Sequence, residues 1–133
     1  MEHSDRGEAA TLFEQGIACF EAGDYFAAHD IWEELWRYGP SDKKAFYKGL
    51  VQVAVALFHA ERGNRPGAQR LYQSACQLLQ PYRPVCLGRD VDRLLQEVGQ
   101  WLQQRWRSTD GEDPSTLVTF RPRFPAAISR GES

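Results

Sequence analysis

Apolar side chains return at three- and four-residue steps through most of the chain, the spacing that keeps them on one face of an α-helix. The first such run, Ala9, Leu12, Phe13, Gly16, Ile17 and Phe20, predicts an amphipathic helix that Gly23 can end. Asp24 then caps a second helix running to about Tyr38, where Gly39 and Pro40 stop the chain. Ser41 precedes a long third helix, Asp42 to about Arg62, closed by Gly63. A fourth starts from Asn64 as cap with Pro66 in its first turn, and carries Ala68, Leu71, Tyr72, Ala75, Leu78 and Leu79 on its inner side. Pro81 to Gly88 reads as a loop. Asp90 caps a fifth helix with Val91, Leu94, Leu95, Val98 and Leu102, ending near Trp106.

No stretch shows the strict alternation of a half-buried strand, so the fold class is all-α. The expected architecture is a single-domain bundle of about five helices, two helical hairpins plus a C-terminal helix, over residues 1–107. Residues 108–133 form a linker, Ser108 to Pro114, and an arm, "LVTFRPRFPAAI", apolar enough to pack back on the bundle. Pro122 and Pro125 keep that arm extended. A shift of 40 positions lays "AGDYFAAHDIW" over "RGNRPGAQRLY", each a helix, a Gly turn and a helix. The pairing resembles a tetratricopeptide hairpin, which implies a peptide-binding or self-associating module, although that repeat is about 34 residues long and usually comes in threes or more.

With 133 residues the chain suits one core, and a net charge of −2 gives no pull toward nucleic acid, which is not an expected partner. No apolar run spans a bilayer and the polar start lacks a signal peptide's hydrophobic stretch, so no membrane partner and a cytoplasmic location are expected. Cys19, Cys76 and Cys86 form no C-x-x-C pair and read as reduced thiols. The sequence names no cofactor.

Chemistry concentrates in "HDIWEELW", His29 to Trp36. At about 100° per residue, His29, Glu33, Trp32 and Trp36 share one side of the second helix with Tyr25 and Phe26. On the third helix Lys44, Lys48, Gln52, Val55, His59 and Arg62 form one stripe, flanked by the small residues Ala45, Gly49 and Ala56. If that stripe faces the second helix, His29, Glu33, Gln52 and His59 surround a common point, with Trp36 beside them. Three chemistries fit. His29, Glu33 and His59 could supply three metal ligands, as an open hydrolase-type site requires. Glu33 could orient His29 as a catalytic base, with Gln52 and His59 binding a small anionic ligand. Or the four could be a buried polar network that fixes helix packing, leaving Tyr25, Phe26, Trp32 and Trp36 as core. Arg62, Arg65 and Arg70 offer a further anion site. Trp101 and Trp106 cannot both face one core line, so an exposed one would mark an interface, a homo-oligomer contact or the cover of the arm.

The combination "GDYFAAHDIWEELWR", "KGLVQVAVALFHAERGN" and "GAQRLYQSA" resembles the small all-helical bacterial and archaeal family called domain of unknown function 309. Its leading motif matches His29, Asp30, Glu33 and Trp36, and its second matches Gly49, Gln52, Ala56, His59, Gly63, Asn64, Gly67 and Ala68. Asp30 stands where members often carry Glu, and Trp32 where an aliphatic residue is common. The resemblance implies a helical fold and a site at these positions, and no activity.

Overall fold

The computed structural model describes residues 2–109 and 121–127. Five helices follow one another: α1 Glu2–Glu21, α2 Tyr25–Tyr38, α3 Lys44–Glu61, α4 Arg65–Leu79 and α5 Val91–Thr109. Consecutive helices from α1 to α4 run antiparallel and pack on one another, and α5 closes on α3 and α4. The all-α bundle expected from periodicity is therefore what forms. Among the described residues no helix is long and apolar enough to cross a membrane.

The two hairpin turns repeat bond for bond. Gly23 and Gly63 take φ of +85° and +81°, the left-handed region that glycine enters without a Cβ clash. The next residue reaches back in each: Asp24 N–H to the Cys19 carbonyl at 2.9 Å and Asn64 N–H to the His59 carbonyl at 2.8 Å. Each then caps the following helix, Asp24 Oδ1 accepting from Ala27 N–H and Asn64 Oδ1 from Gly67 N–H, both at 3.1 Å. The 40-residue repeat is thus a repeat of structure. Asp90 Oδ1 likewise accepts from Arg93 N–H at 2.8 Å at the start of α5. Ser41 departs from expectation, because it opens a 3-10 turn, Ser41–Lys43, with no capping bond, and α3 begins at Lys44.

The core runs along the shared faces: Phe13, Ile17 and Phe20 of α1, Trp32 and Leu35 of α2, Phe46, Leu50 and Leu57 of α3, Leu94 and Val98 of α5. Gly16 lets α2 come close, since a Cβ there would strike the Trp32 indole, whose Nε1–H donates to the Phe13 carbonyl at 3.4 Å. Gly49 does the same for α4, where a Cβ would lie 2.7 Å from Leu79 Cγ. Across the bundle, Arg105 of α5 donates to the Ala60 and Glu61 carbonyls at 2.8 and 3.1 Å, satisfying the C-terminal end of α3.

The segment expected as a plain loop is more ordered than that. After a 3-10 turn, Gln80–Tyr82, two-residue strands β1 Val85–Cys86 and β2 Arg89–Asp90 pair antiparallel around Leu87 and Gly88. Strands of two residues are too short to register as alternation. This hairpin receives the arm. Asp90 N–H donates to the Pro125 carbonyl at 2.9 Å and Ala127 N–H to the Gly88 carbonyl at 2.8 Å. Arg89 bonds the Phe124 carbonyl at 3.0 Å and pairs with Glu14 of α1. Phe124 is wholly buried, its ring edge-on to Phe13 at 6.0 Å. The arm is extended where described; residues 110–120 and 128–133, the rest of the expected linker and arm, lie outside the described residues.

Candidate functional site on the α2–α3 face

Two contacts set the register of α2 against α3. Phe26 meets Phe58 with ring centroids 5.9 Å apart, and Lys48 lies over the Trp36 ring at 5.6 Å. In the antiparallel pairing these fix, His29 is level with Val55, Trp32 with Gln52, and His59 with Tyr25. The four polar residues are therefore strung along the helix pair over about two turns.

On α2, His29 and Glu33 belong to a polar row with Asp30 and Arg37. His29 Nδ1 lies 3.2 Å from Asp30 Oδ1 and its Nε2 3.9 Å from Glu33 Oε2, while Arg37 reaches the same Glu33 oxygen at 3.6 Å. The i,i+4 spacing of His29, Glu33 and Arg37 places them in one row. His29 is 24% and Glu33 32% exposed, so both are reachable from solvent. His59 belongs to the hairpin turn instead, with Nδ1 3.3 Å from Asn64 Nδ2. Gln52 makes no bond, and its Oε1 is closed off without a partner among the described residues. No hydrogen bond or ion pair there links His29 or Glu33 to Gln52 or His59. Nor do three His, Cys, Asp or Glu side chains converge as a metal ligand set would among the described residues.

The aromatic residues divide differently from expectation. Tyr25 and Trp32 are core, but Phe26 is 56% exposed and Trp36 only half-buried. Phe26 sits on the border of the apolar arc, where α3 covers one edge of the ring and nothing described covers the other. It touches the His29 imidazole at 5.8 Å as well as Phe58, and Arg62 stacks on the far ring at 4.6 Å. Farther along, Arg37 and Lys48 both lie over Trp36. The face thus alternates rings with cations. The stripe on α3 foreshadowed Lys48 and Arg62, but nothing in the spacing singled out Phe26 or its partner Phe58.

Trp101 and Trp106 are both buried, so neither marks an exposed interface. They do look in different directions. Trp101 meets Tyr25 edge-on at 6.4 Å, and Trp106 lies under the Arg65 guanidinium at 5.0 Å.

Paired hairpins with an α2–α3 face of this kind define a small all-helical protein. Residues 13–71 are similar to the family described as Domain of unknown function (DUF309), and this segment contains His29, Glu33, Gln52 and His59. The uncharacterized protein YpuF of Bacillus subtilis (strain 168) is 45% identical over 76 residues, covering 55% of this chain and 44% of its own length. An uncharacterized protein of Aquifex aeolicus (strain VF5) is 30% identical over 94 residues, 67% of this chain and 28% of its own length. The chain spans less than half the length of these relatives.

Proposed function

We propose that the protein is a binding module whose α2–α3 face docks a second protein chain. The observation that carries this is Phe26, more than half exposed yet held in place by Phe58 and His29, with Arg62 stacked on the Phe58 ring. Aromatic and arginine side chains are the residues that anchor protein interfaces, the rings because they bury a large rigid surface and the guanidinium because it stacks on rings while keeping its donors. His29, Asp30, Glu33 and Arg37 then form the polar flank of the face, and Trp36 with Lys48 its second anchor. The two structurally equivalent hairpins support a module of tetratricopeptide-like kind, as does the longer length of both relatives, in which the matched segment is one part of a larger chain.

Photocrosslinking tests this. A photoreactive aromatic amino acid replaces Phe26, and in a control Gln15 on the exposed side of α1, in cells expressing the chain. One discrete protein adduct from position 26, absent from position 15 and lost when Arg62→Glu is added, is the expected result. An adduct of twice the chain's mass assigns the partner as a second copy. No adduct at position 26, or the same adducts from both positions, overturns the proposal. Phe26→Ala, being a change at an exposed side chain, leaves the melting temperature almost unchanged, so loss of docking is separable from unfolding.

A further inference from the structure

A cleft of about 550 Å³ opens between α4 and α5, on different helices from the docking face. Its walls are carboxamides: Gln69 and Gln73 from α4, and Gln96, Gln100 and Gln103 from α5. All five are exposed, and none hydrogen-bonds another described residue. In a chain that is 26% charged, no described residue lining this cleft carries a charge. Its floor is fixed by Tyr72, which crosses from α4 to donate its hydroxyl to the Leu95 carbonyl at 2.8 Å. Gly99 makes that crossing possible, since a Cβ there would lie 2.7 Å from the Tyr72 oxygen. The tyrosine acts as a strut that sets the distance between the two rows.

The geometry points to a site for an extended, uncharged peptide segment, bound through its main chain. Each carboxamide offers both a donor and an acceptor, the complement of a peptide N–H and C=O. Spacing agrees: residues four apart on a helix rise about 6 Å, and alternate residues of an extended chain repeat at about 6.6 Å, so successive glutamines meet successive main-chain groups of one side. A helical partner would bring no free main-chain groups and would desolvate the carboxamides without replacing their hydrogen bonds. An anion finds no cation among the described residues of these walls. A sugar would need an open aromatic face, whereas Trp106 is covered by Arg65 and the Tyr72 hydroxyl is committed.

The test uses the full chain and a library of end-blocked, uncharged hexapeptides varied over Val, Thr, Ser and Ala. The readout is the side-chain amide signals of the five glutamines in two-dimensional NMR. Saturable shifts confined to these signals are expected. Affinity should fall at least about tenfold for peptides N-methylated at alternate residues, which lose the donors, and by a similar factor in a Gln73→Glu, Gln100→Glu double variant. The other backbone signals report that this variant stays folded. No saturable shift, equal binding of the N-methylated peptides, or binding of maltotriose in place of peptide each overturns the inference.

Discussion

Tyr25 shows how one side chain near the hairpin turn ties stability to pH. Burial pushes its phenol up to about 12, helped by the nearby Glu61 carboxylate and opposed by Arg121. The unfolded phenol ionises near its ordinary value of 10.0, so between these two values unfolding releases a proton and stability falls as pH rises. The wild-type chain is therefore expected to lose about 1–2 kcal/mol across that interval from this group, measured by chemical denaturation at a series of alkaline pH values. Tyr25→Phe should be nearly neutral at pH 7, where no hydrogen bond of the hydroxyl to a described residue is lost, and should flatten the alkaline slope. Part of the slope remains, because Tyr72 is also pushed well above its ordinary range by burial. An unchanged slope in the variant would show that Tyr25 ionises normally in the folded chain. Burial of Tyr25 was legible in the sequence, since it lies on the apolar arc of its helix. The exposure of Phe26, its neighbour on the same arc, was not, because a helical wheel marks the border of a buried face but not which neighbour ends there.

At the scale of elements, the sequence was most informative where a backbone needs a particular residue. Left-handed turns need Gly23 and Gly63, and the free N–H groups beyond them need Asp24 and Asn64, so both hairpins and their 40-residue offset could be read from local chemistry. The mutual register of α2 and α3 could not, because it depends on which ring packs on which, and this separates His59 from His29. The two caps differ in one respect. Asn64 also meets His59 through its amide nitrogen, and Gly67 leaves room for it, a Cβ there lying 2.5 Å from Asn64 Nδ2. Asp24→Ala should therefore cost about 1 kcal/mol and Asn64→Ala somewhat more, toward 2 kcal/mol, in urea unfolding. Equal losses would show that the His59 contact adds nothing to the second cap.

For the whole molecule, the arm decides where the cooperative unit ends. A division at residue 107 follows from composition, since Ser, Thr, Asp, Gly and Pro replace the helical pattern there. Yet Phe124, far beyond that boundary, is completely buried in the same cluster as Phe13 and Phe46. Its amide donates to Glu21 of α1 at 2.9 Å, and the neighbouring Arg123 amide to Glu97 of α5 at 2.9 Å, so the arm ties the first helix to the last. Prolines told that the segment is extended but not where its free N–H groups go, because those partners lie far away in sequence. Phe124→Ala removes the ring and leaves a cavity beside Phe13, at an expected cost of about 3–5 kcal/mol in denaturant unfolding. The form of the loss matters as much as its size. If the arm folds with the helices, the unfolding transition stays single and moves to lower denaturant. If the arm is a strap on an independent bundle, the bulk transition barely moves, while the Asp90 and Ala127 amides, which pair with the arm and the hairpin, lose their protection from hydrogen exchange. Complete burial of Phe124 against α1 favours the first outcome, because a core that includes the arm cannot close without it.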